Sequence, residues 1–331
     1  MGEIGIMDKQ WIVGVDLGGT TTKLAFIHEN GEIIHKWEID TDNTDAGKNI
    51  LKNISESIDT QLGRLNVGKE ILKGIGMGAP GAVNLEEGII YEAVNLGWEN
   101  NYPISRTLTQ LTGLPVVIDN DANCAAQGEM WKGAGQGAKD IVCVTLGTGV
   151  GGGIITNGKI VQGIKGAAGE IGHITVIPEN GAPCNCGKTG CLETIASATG
   201  ISRLATEAIH AYENNSLLKD IYSEKGKVSA KDVFDSVKEG DILANEIVNR
   251  VVFYLGIALA NVGNVFNPEK IIIGGGVSRA GKTLLDPLIR YFQKFAFSTV
   301  AQSTRIDLAT LGNDAGVIGA AWLIQGNVGN K

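Results

Sequence analysis

Positive charge is in short supply in this chain: 28 Lys and Arg stand against 36 Asp and Glu, a formal net charge of −8. A protein built to grip phosphate backbones carries a basic face, so nucleic acid is not an expected partner. Cysteine is scarce too, five in 331 residues, and the number is odd. With no export signal ahead of them, these thiols do not read as a disulfide framework. The N-terminal MGEIGIMDKQW lacks the basic-then-apolar order of a secretory leader. Long hydrophobic runs are missing as well. The longest uncharged stretch, residues 251–266, is short for a bilayer and contains Asn261 and Asn264, so it reads as a buried helix. A cytoplasmic protein without a membrane partner is expected.

Glycine is abundant, at 47 residues, and it clusters at the ends of apolar runs. Such placement marks tight loops where backbone approaches something closely. The first cluster lies in WIVGVDLGGTTTKLAFI, residues 11–27: an apolar strand ends at Asp16, turns through Gly18-Gly19-Thr20 and resumes as a second strand. A weak second copy, residues 141–156, aligns Thr145-Leu146-Gly147-Thr148-Gly149 with Asp16-Leu17-Gly18-Gly19-Thr20. A third glycine-bearing strand ends in Gly274-Gly275-Gly276. None is a Walker loop, which requires GxxxxGK[ST] opening a helix. Backbone N–H groups without a Cβ in the way, with the hydroxyls of Thr20 and Thr148 beside them, suit the phosphates of a nucleotide.

Helical patterning covers 47–65, 122–131, about 194–262 and 315–324, and strands alternate with it at 75–83 and 116–118. The class is therefore α/β, with two similar halves facing each other across a cleft. The terminal helix is expected either to pack back on the first half or to serve as a plain core helix. The expected division is 1–119 with 315–331 as the smaller domain and 120–314 as the larger.

Two further clusters carry chemistry. In Asp119-Asn120-Asp121-Ala122-Asn123, Asp121 reads as the cap of a helix starting at Ala122, or as a carboxylate that accepts a proton from an attacking hydroxyl; the two roles are compatible. A calcium loop is excluded, because its glycine and glutamate places hold Cys124 and Met130. In GEIGHITVIPENGAPCNCGKTGCLE, His173, Cys184, Cys186 and Cys191 form a Cys₃His set suited to a closed, structural zinc site. Glu170 and Glu193 bracket it, and each carboxylate can accept from neighbouring hydroxyls of a polyol.

The motifs DLGGT (16–20), GAPG (78–81), NLGW (95–98), NDAN (120–123), TLGTGVGGG (145–153), GEIGH (169–173) and CNCGKTGCLE (184–193) resemble those of the ROK family, over residues 12 to about 322. The resemblance implies an actin/hexokinase-like fold of two RNase H-like domains, and an ATP-dependent hexose kinase with glucose the favoured acceptor. It implies Asp121 as general base for the sugar 6-hydroxyl. Asn120, Glu170, His173 and Glu193 would bind sugar hydroxyls, with Asn95 and the Ala79-Pro80-Gly81 backbone completing the pocket. Gly18, Gly19, Thr20, Gly147, Thr148 and Gly149 would hold phosphates, and Gly275 and Gly276 would approach the adenosine. Asp16 would sit near Mg²⁺, zinc would be structural, and the assembly a homodimer or homotetramer. Phosphorylation of fructose, mannose, allose or N-acetylmannosamine remains an alternative, as does a sugar-sensing regulator without catalysis. Repressors of the family carry a DNA-binding region ahead of the core, for which the hairpin beginning by Trp11 is expected to leave no room.

Overall fold

The fully apolar runs become central strands, and residues 33–40, which are amphipathic, become an edge. In the computed structural model, which describes residues 10–93 and 96–328, β1 (Trp11–Leu17) buries Ile12, Val13, Val15 and Leu17 completely. Burial on both faces is what a near-continuous apolar strand predicts. β2 (Thr21–His28) follows antiparallel to it, and β3 (Ile33–Asp40), whose residues alternate half-buried and exposed, closes that edge. After α1 (Ile50–Leu65), β4 (Leu72–Ala79) returns parallel to β1. The short hairpin β5 (Val83–Asn84) and β6 (Ile89–Ile90) and the helix α2 (Ile104–Thr112) lead to β7 (Val116–Asn120), which is parallel to β4. The sheet order is β3-β2-β1-β4-β7, and α3 (Asp121–Lys132) leaves its last strand.

The second half repeats this plan. β8 (Ile141–Leu146), β9 (Val150–Thr156) and β10 (Lys159–Ile160) correspond to the first three strands. Next come the metal-type loop, α4 (Glu193–Ala196), α5 (Ala198–Ala211), α6 (Leu217–Lys225), α7 (Ala230–Lys238) and α8 (Ile242–Phe266). β11 (Lys270–Gly274), α9 (Lys282–Phe295), α10 (Ser298–Ser303) and β12 (Arg305–Leu308) complete it. The order β10-β9-β8-β11-β12 reproduces the first sheet strand for strand, with β11 and β12 parallel to β8. The weak repeat in the sequence is thus a full structural repeat.

The region read as one long helical stretch is five helices, because Ser197, Ser216, Ser229 and Asp241 each cap a new start with a side-chain oxygen. α8 extends well beyond the uncharged run and is by length and composition long enough to cross a membrane. Its Val251, Val252, Leu255 and Leu259 are instead fully buried in the core of the second half.

The last helix, α11 (Ala315–Val328), packs on β1, β4 and α3. The approach is backbone to backbone: a Cβ on Gly76 of β4 would lie 1.7 Å from the Ala320 carbonyl oxygen. Val317, Ile318, Leu323 and Ile324 are buried there, and each such side chain stabilises by roughly 1.5–3 kcal/mol. The chain accordingly divides into residues 1–137, 160–168 and 313–331 in one unit and 138–159 and 169–312 in the other. This differs from the expected boundary at 119. α3, and with it Asp121, belongs to the first unit because α11 and β4 hold it there.

Candidate active-site residues and metal centre

Strand register gathers one group of candidates in the first unit. Asp16 pairs with Gly78, Gly78 with Asp119, and Ala79 with Asn120, so they lie in a row at the carboxyl ends of the parallel strands. Ligands of open α/β sheets bind beyond such ends. Asp16 has Lys23 Nζ at 3.6 Å. Burial raises its carboxyl above the ordinary value, with Lys23 opposing the rise. Ala79 is fully buried. Asn95 lies outside the described residues.

The helix cap is Asn120, not Asp121. Its Oδ1 accepts from the N–H groups of Ala122 and Asn123 at 2.9 and 3.2 Å, and its Nδ2 donates to the Gly81 carbonyl at 3.0 Å. Among the described residues, the second N–H of that amide meets no partner. Asp121 is the first helical residue, and its Oδ1 accepts from the Ala122 N–H at 2.8 Å. Burial pushes its carboxyl up to about 6; the Ala122 bond opposes the rise and the charge of Asp16 adds to it. A carboxylate poised there is matched to general-base work near neutral pH. Asp119, to which the sequence reading assigned no role, is completely buried. It accepts from the Asn120 N–H, Asn123 Nδ2, Gln127 Nε2 and Gln162 Nε2 at 2.7, 2.9, 3.3 and 2.8 Å. Burial raises its carboxyl and these four donors pull it back. It ties the first turn of α3 to the segment 160–168.

Both glycine hairpins turn their carbonyls inward. In the first, the Gly18 carbonyl accepts from Thr41 Oγ1 at 2.8 Å, the Gly19 carbonyl from Asn43 Nδ2, and the Thr20 carbonyl from the Thr41 N–H at 2.9 Å. In a trans peptide the N–H points opposite to the C=O, so the amides of Gly19 and Thr20 face away from this staple. In the second, the Gly147 carbonyl accepts from the Ala198 N–H at 2.8 Å and the Thr148 carbonyl from Thr199 Oγ1. The amides of Thr148 and Gly149 are turned outward in the same way. The staples differ: the strand exit after β3 serves one hairpin and the start of α5 the other. The second hairpin is also tighter by one residue, since Leu17 pairs with Thr22 but Leu146 with Val150.

Gly275 and Gly276 part company. Gly275 has φ 82°, and a Cβ there would lie 2.5 Å from the Leu146 carbonyl oxygen, so its smallness serves packing on β8. A Cβ on Gly276 would meet nothing within 4 Å, which leaves that side open to a ligand.

The four metal candidates converge. Cys184 Sγ is 3.6 Å from His173 Nδ1 and Cys186 Sγ is 3.6 Å from Cys191 Sγ, and all four donor atoms lie within 4.8 Å of one another. A tetrahedral zinc site with bonds of about 2.3 Å to sulfur and about 2.0 Å to nitrogen spaces its donors about 3.5–3.8 Å apart, so the set is compatible with zinc. Burial pushes the Cys184 thiol up to about 12 and raises Cys191, an arrangement that a cation among the sulfurs would reverse. The loop closes because Gly190 has φ 71° and would place a Cβ 1.8 Å from the Ile177 carbonyl oxygen. His173 turns its other nitrogen, Nε2, toward Glu170 Oε2 at 3.9 Å. Glu193 is less free than the sequence suggests: Oε2 accepts from the Val150 N–H at 2.9 Å, and Oε1 lies 3.7 Å from Cys184 Sγ. It joins the metal loop to the second hairpin.

The ROK family model matches residues 12–327. The chain belongs to the ROK family. This ROK chain is 54% identical over 319 residues to a glucokinase of Halalkalibacterium halodurans, covering 96% of each. It is similar in structure to a ROK family glucokinase from Streptomyces griseus in complex with glucose and AMPPNP, with a TM-score of 0.76 and 33% identity over 95% of this chain and 98% of that one. It is similar as well to a ROK family transcriptional regulator, a homologue of the E. coli MLC protein, with a TM-score of 0.85 and 29% identity. That match covers 96% of the ROK chain described here and 78% of the regulator.

Proposed function

We propose that this chain is an ATP-dependent glucokinase, which moves the γ-phosphoryl group of ATP to the 6-hydroxyl of glucose and yields glucose 6-phosphate and ADP. The observation that carries this reading is the identity to the H. halodurans glucokinase across nearly the whole of both chains. In this reading Asp121 takes the proton of the 6-hydroxyl as its oxygen bonds to the γ-phosphorus and the bond to the ADP oxygen breaks. The outward amides of Gly19, Thr20, Thr148 and Gly149 receive phosphate oxygens, with Gly18 and Gly147 giving room. Gly276 leaves space for the adenosine; Gly275 supports it from behind. Asn120, Glu170, His173 through Nε2, and Glu193 hold sugar hydroxyls, with Asn95 and the backbone of Ala79, Pro80 and Gly81. Asp16 would sit near the Mg²⁺ that comes with ATP, and the ion would supply positive charge to the phosphates. His173, Cys184, Cys186 and Cys191 hold a zinc ion whose role is structural, since protein fills all four places.

The reading extends to a cytoplasmic homodimer or homotetramer with no nucleic-acid or membrane partner. A sugar-sensing regulator is the second reading, favoured by the likeness to the transcriptional regulator; the poised Asp121 speaks against it. The test is ADP release with Mg-ATP against a panel of hexoses, with Asp121→Asn as control. Turnover led by glucose and lost in the control is expected. Sugar binding without turnover on any hexose would favour the regulator.

A further inference from the structure

Residues 41–47 contain three consecutive residues of positive φ. Asp45 (φ 48°), Ala46 (φ 56°) and Gly47 (φ 66°) follow one another in the left-handed region, which Gly and Asp tolerate but which disfavours the Cβ of Ala. Three consecutive residues stay there only if the surroundings over-determine them. At one end of the segment stand Thr41 and Asn43, which take the carbonyls of Gly18, Gly19 and Thr20. Thr41 Oγ1 is itself fixed by Thr22 Oγ1 at 2.9 Å. At the other end the Gly47 carbonyl accepts from Trp98 Nε1 at 3.0 Å, and a Cβ on Gly47 would lie 2.3 Å from the Leu96 carbonyl oxygen. Trp98 is buried and stacks on Tyr102 at 4.5 Å, so the anchor is rigid. Asp42 staples the turn internally, accepting from the Thr44 N–H at 3.0 Å and from Asn49 Nδ2 at 3.2 Å.

We propose that residues 41–47 are a strap that presets the amides of Gly19 and Thr20 for a nucleotide phosphate, with Thr41 and Asn43 as positioning residues and Trp98 as the anchor. The inference rests on the kinase reading for its ligand. Without the Asn43 amide, the peptide between Gly19 and Thr20 is free to rotate, since glycine on one side offers little resistance. The Thr20 N–H is then no longer aimed. Because the left-handed turn transmits the position of Trp98 to Asn43, loosening the anchor has the same effect at a distance.

The experiment compares wild type, Asn43→Ala, Thr41→Ser and Trp98→Phe. Mg-AMPPNP affinity is read by titration calorimetry, and KM for ATP and kcat are read with saturating glucose. Asn43 is exposed, so its truncation leaves the fold intact, and Trp98→Phe keeps the ring stack while removing the Nε1 donor. Loss of one aimed hydrogen bond corresponds to about a fivefold weaker nucleotide affinity. That loss is expected in Asn43→Ala and Trp98→Phe, with KM for ATP moving more than kcat. Thr41→Ser keeps the hydroxyl and stays at the wild-type affinity. Unchanged nucleotide affinity in both Asn43→Ala and Trp98→Phe overturns the strap. Wild type that binds Mg-AMPPNP but phosphorylates no hexose overturns the kinase reading instead, and the affinities still decide the strap.

Discussion

At the scale of single residues, Asp121 combines position and acidity. It sits at the first turn of α3, at the carboxyl ends of three strands, with a carboxyl pushed to about 6 by burial. Below that pH it is protonated and cannot accept the sugar proton. kcat is therefore expected to fall about tenfold per pH unit under about 6, in place of the inflection near 4 of an ordinary aspartate. A profile flat from pH 7 down to pH 5 would remove Asp121 from the role of base. Asp121→Asn is expected to lower kcat at least about 100-fold while glucose binding persists. The same raised value means that the folded state holds the proton more tightly than the unfolded one. The charge at Asp121 thus lowers stability as pH rises from about 4 through 6, and Asp121→Asn is expected to melt no lower than wild type at pH 7. Melting curves at pH 5 and 7 check the sign.

The metal loop is the element whose behaviour is easiest to separate from the rest. Its backbone is pinned by the pairs Thr175–Cys191 and Pro183–Thr189, and Lys188 Nζ donates to the His173 carbonyl at 3.0 Å. One zinc per chain is expected by metal analysis. Cys184→Ser is expected to lose it and to lower the melting temperature, while a native protein free of zinc would remove the Cys₃His assignment. Gly190→Ala strikes the same loop without touching a ligand. It forces a Cβ onto the Ile177 carbonyl and a side chain into φ 71°, and it is expected to cost about 1–3 kcal/mol of stability together with metal affinity. Because Glu193 links this loop to the Val150 N–H, loss of metal should weaken nucleotide binding as well as sugar binding.

At the scale of the whole chain, the two units hold the same five-stranded plan, but the first is completed by α11, which lies far from it in sequence. α11 covers β1 and β4 through contacts that permit no Cβ at Gly76. Deletion of residues 313–331 is expected to strip hydrogen-exchange protection from β1, β4 and α3 while β8 and β11 stay protected. Equal loss in both units would show that the molecule folds as one cooperative block. Gly76→Ala is a milder form of the same test, expected to destabilise by about 1–3 kcal/mol through overpacking.

Much of this was legible in the residues themselves. Apolar runs ending in glycine specified strands and turns, and three cysteines with a histidine specified a candidate metal set, because each depends on short-range spacing. The α/β class and the duplicated hairpin followed from the same local patterns. What stayed hidden depends on contacts distant in sequence. The cap passed from Asp121 to Asn120 because the strand exit sets the backbone angles at that point. Asp119 looked like one more polar residue until the fold brought Gln162 to it across 43 positions. Thr41 and Asn43 sit in a polar stretch that reads as an ordinary turn, and only the pairing of β3 with β2 lays them against Gly18 and Gly19. The sequence by itself determined which chemical groups are available and which elements carry them. Tertiary structure alone decided which carbonyls are taken, and so which amides are turned outward, because a hydrogen bond depends on a separation in space that sequence distance does not set.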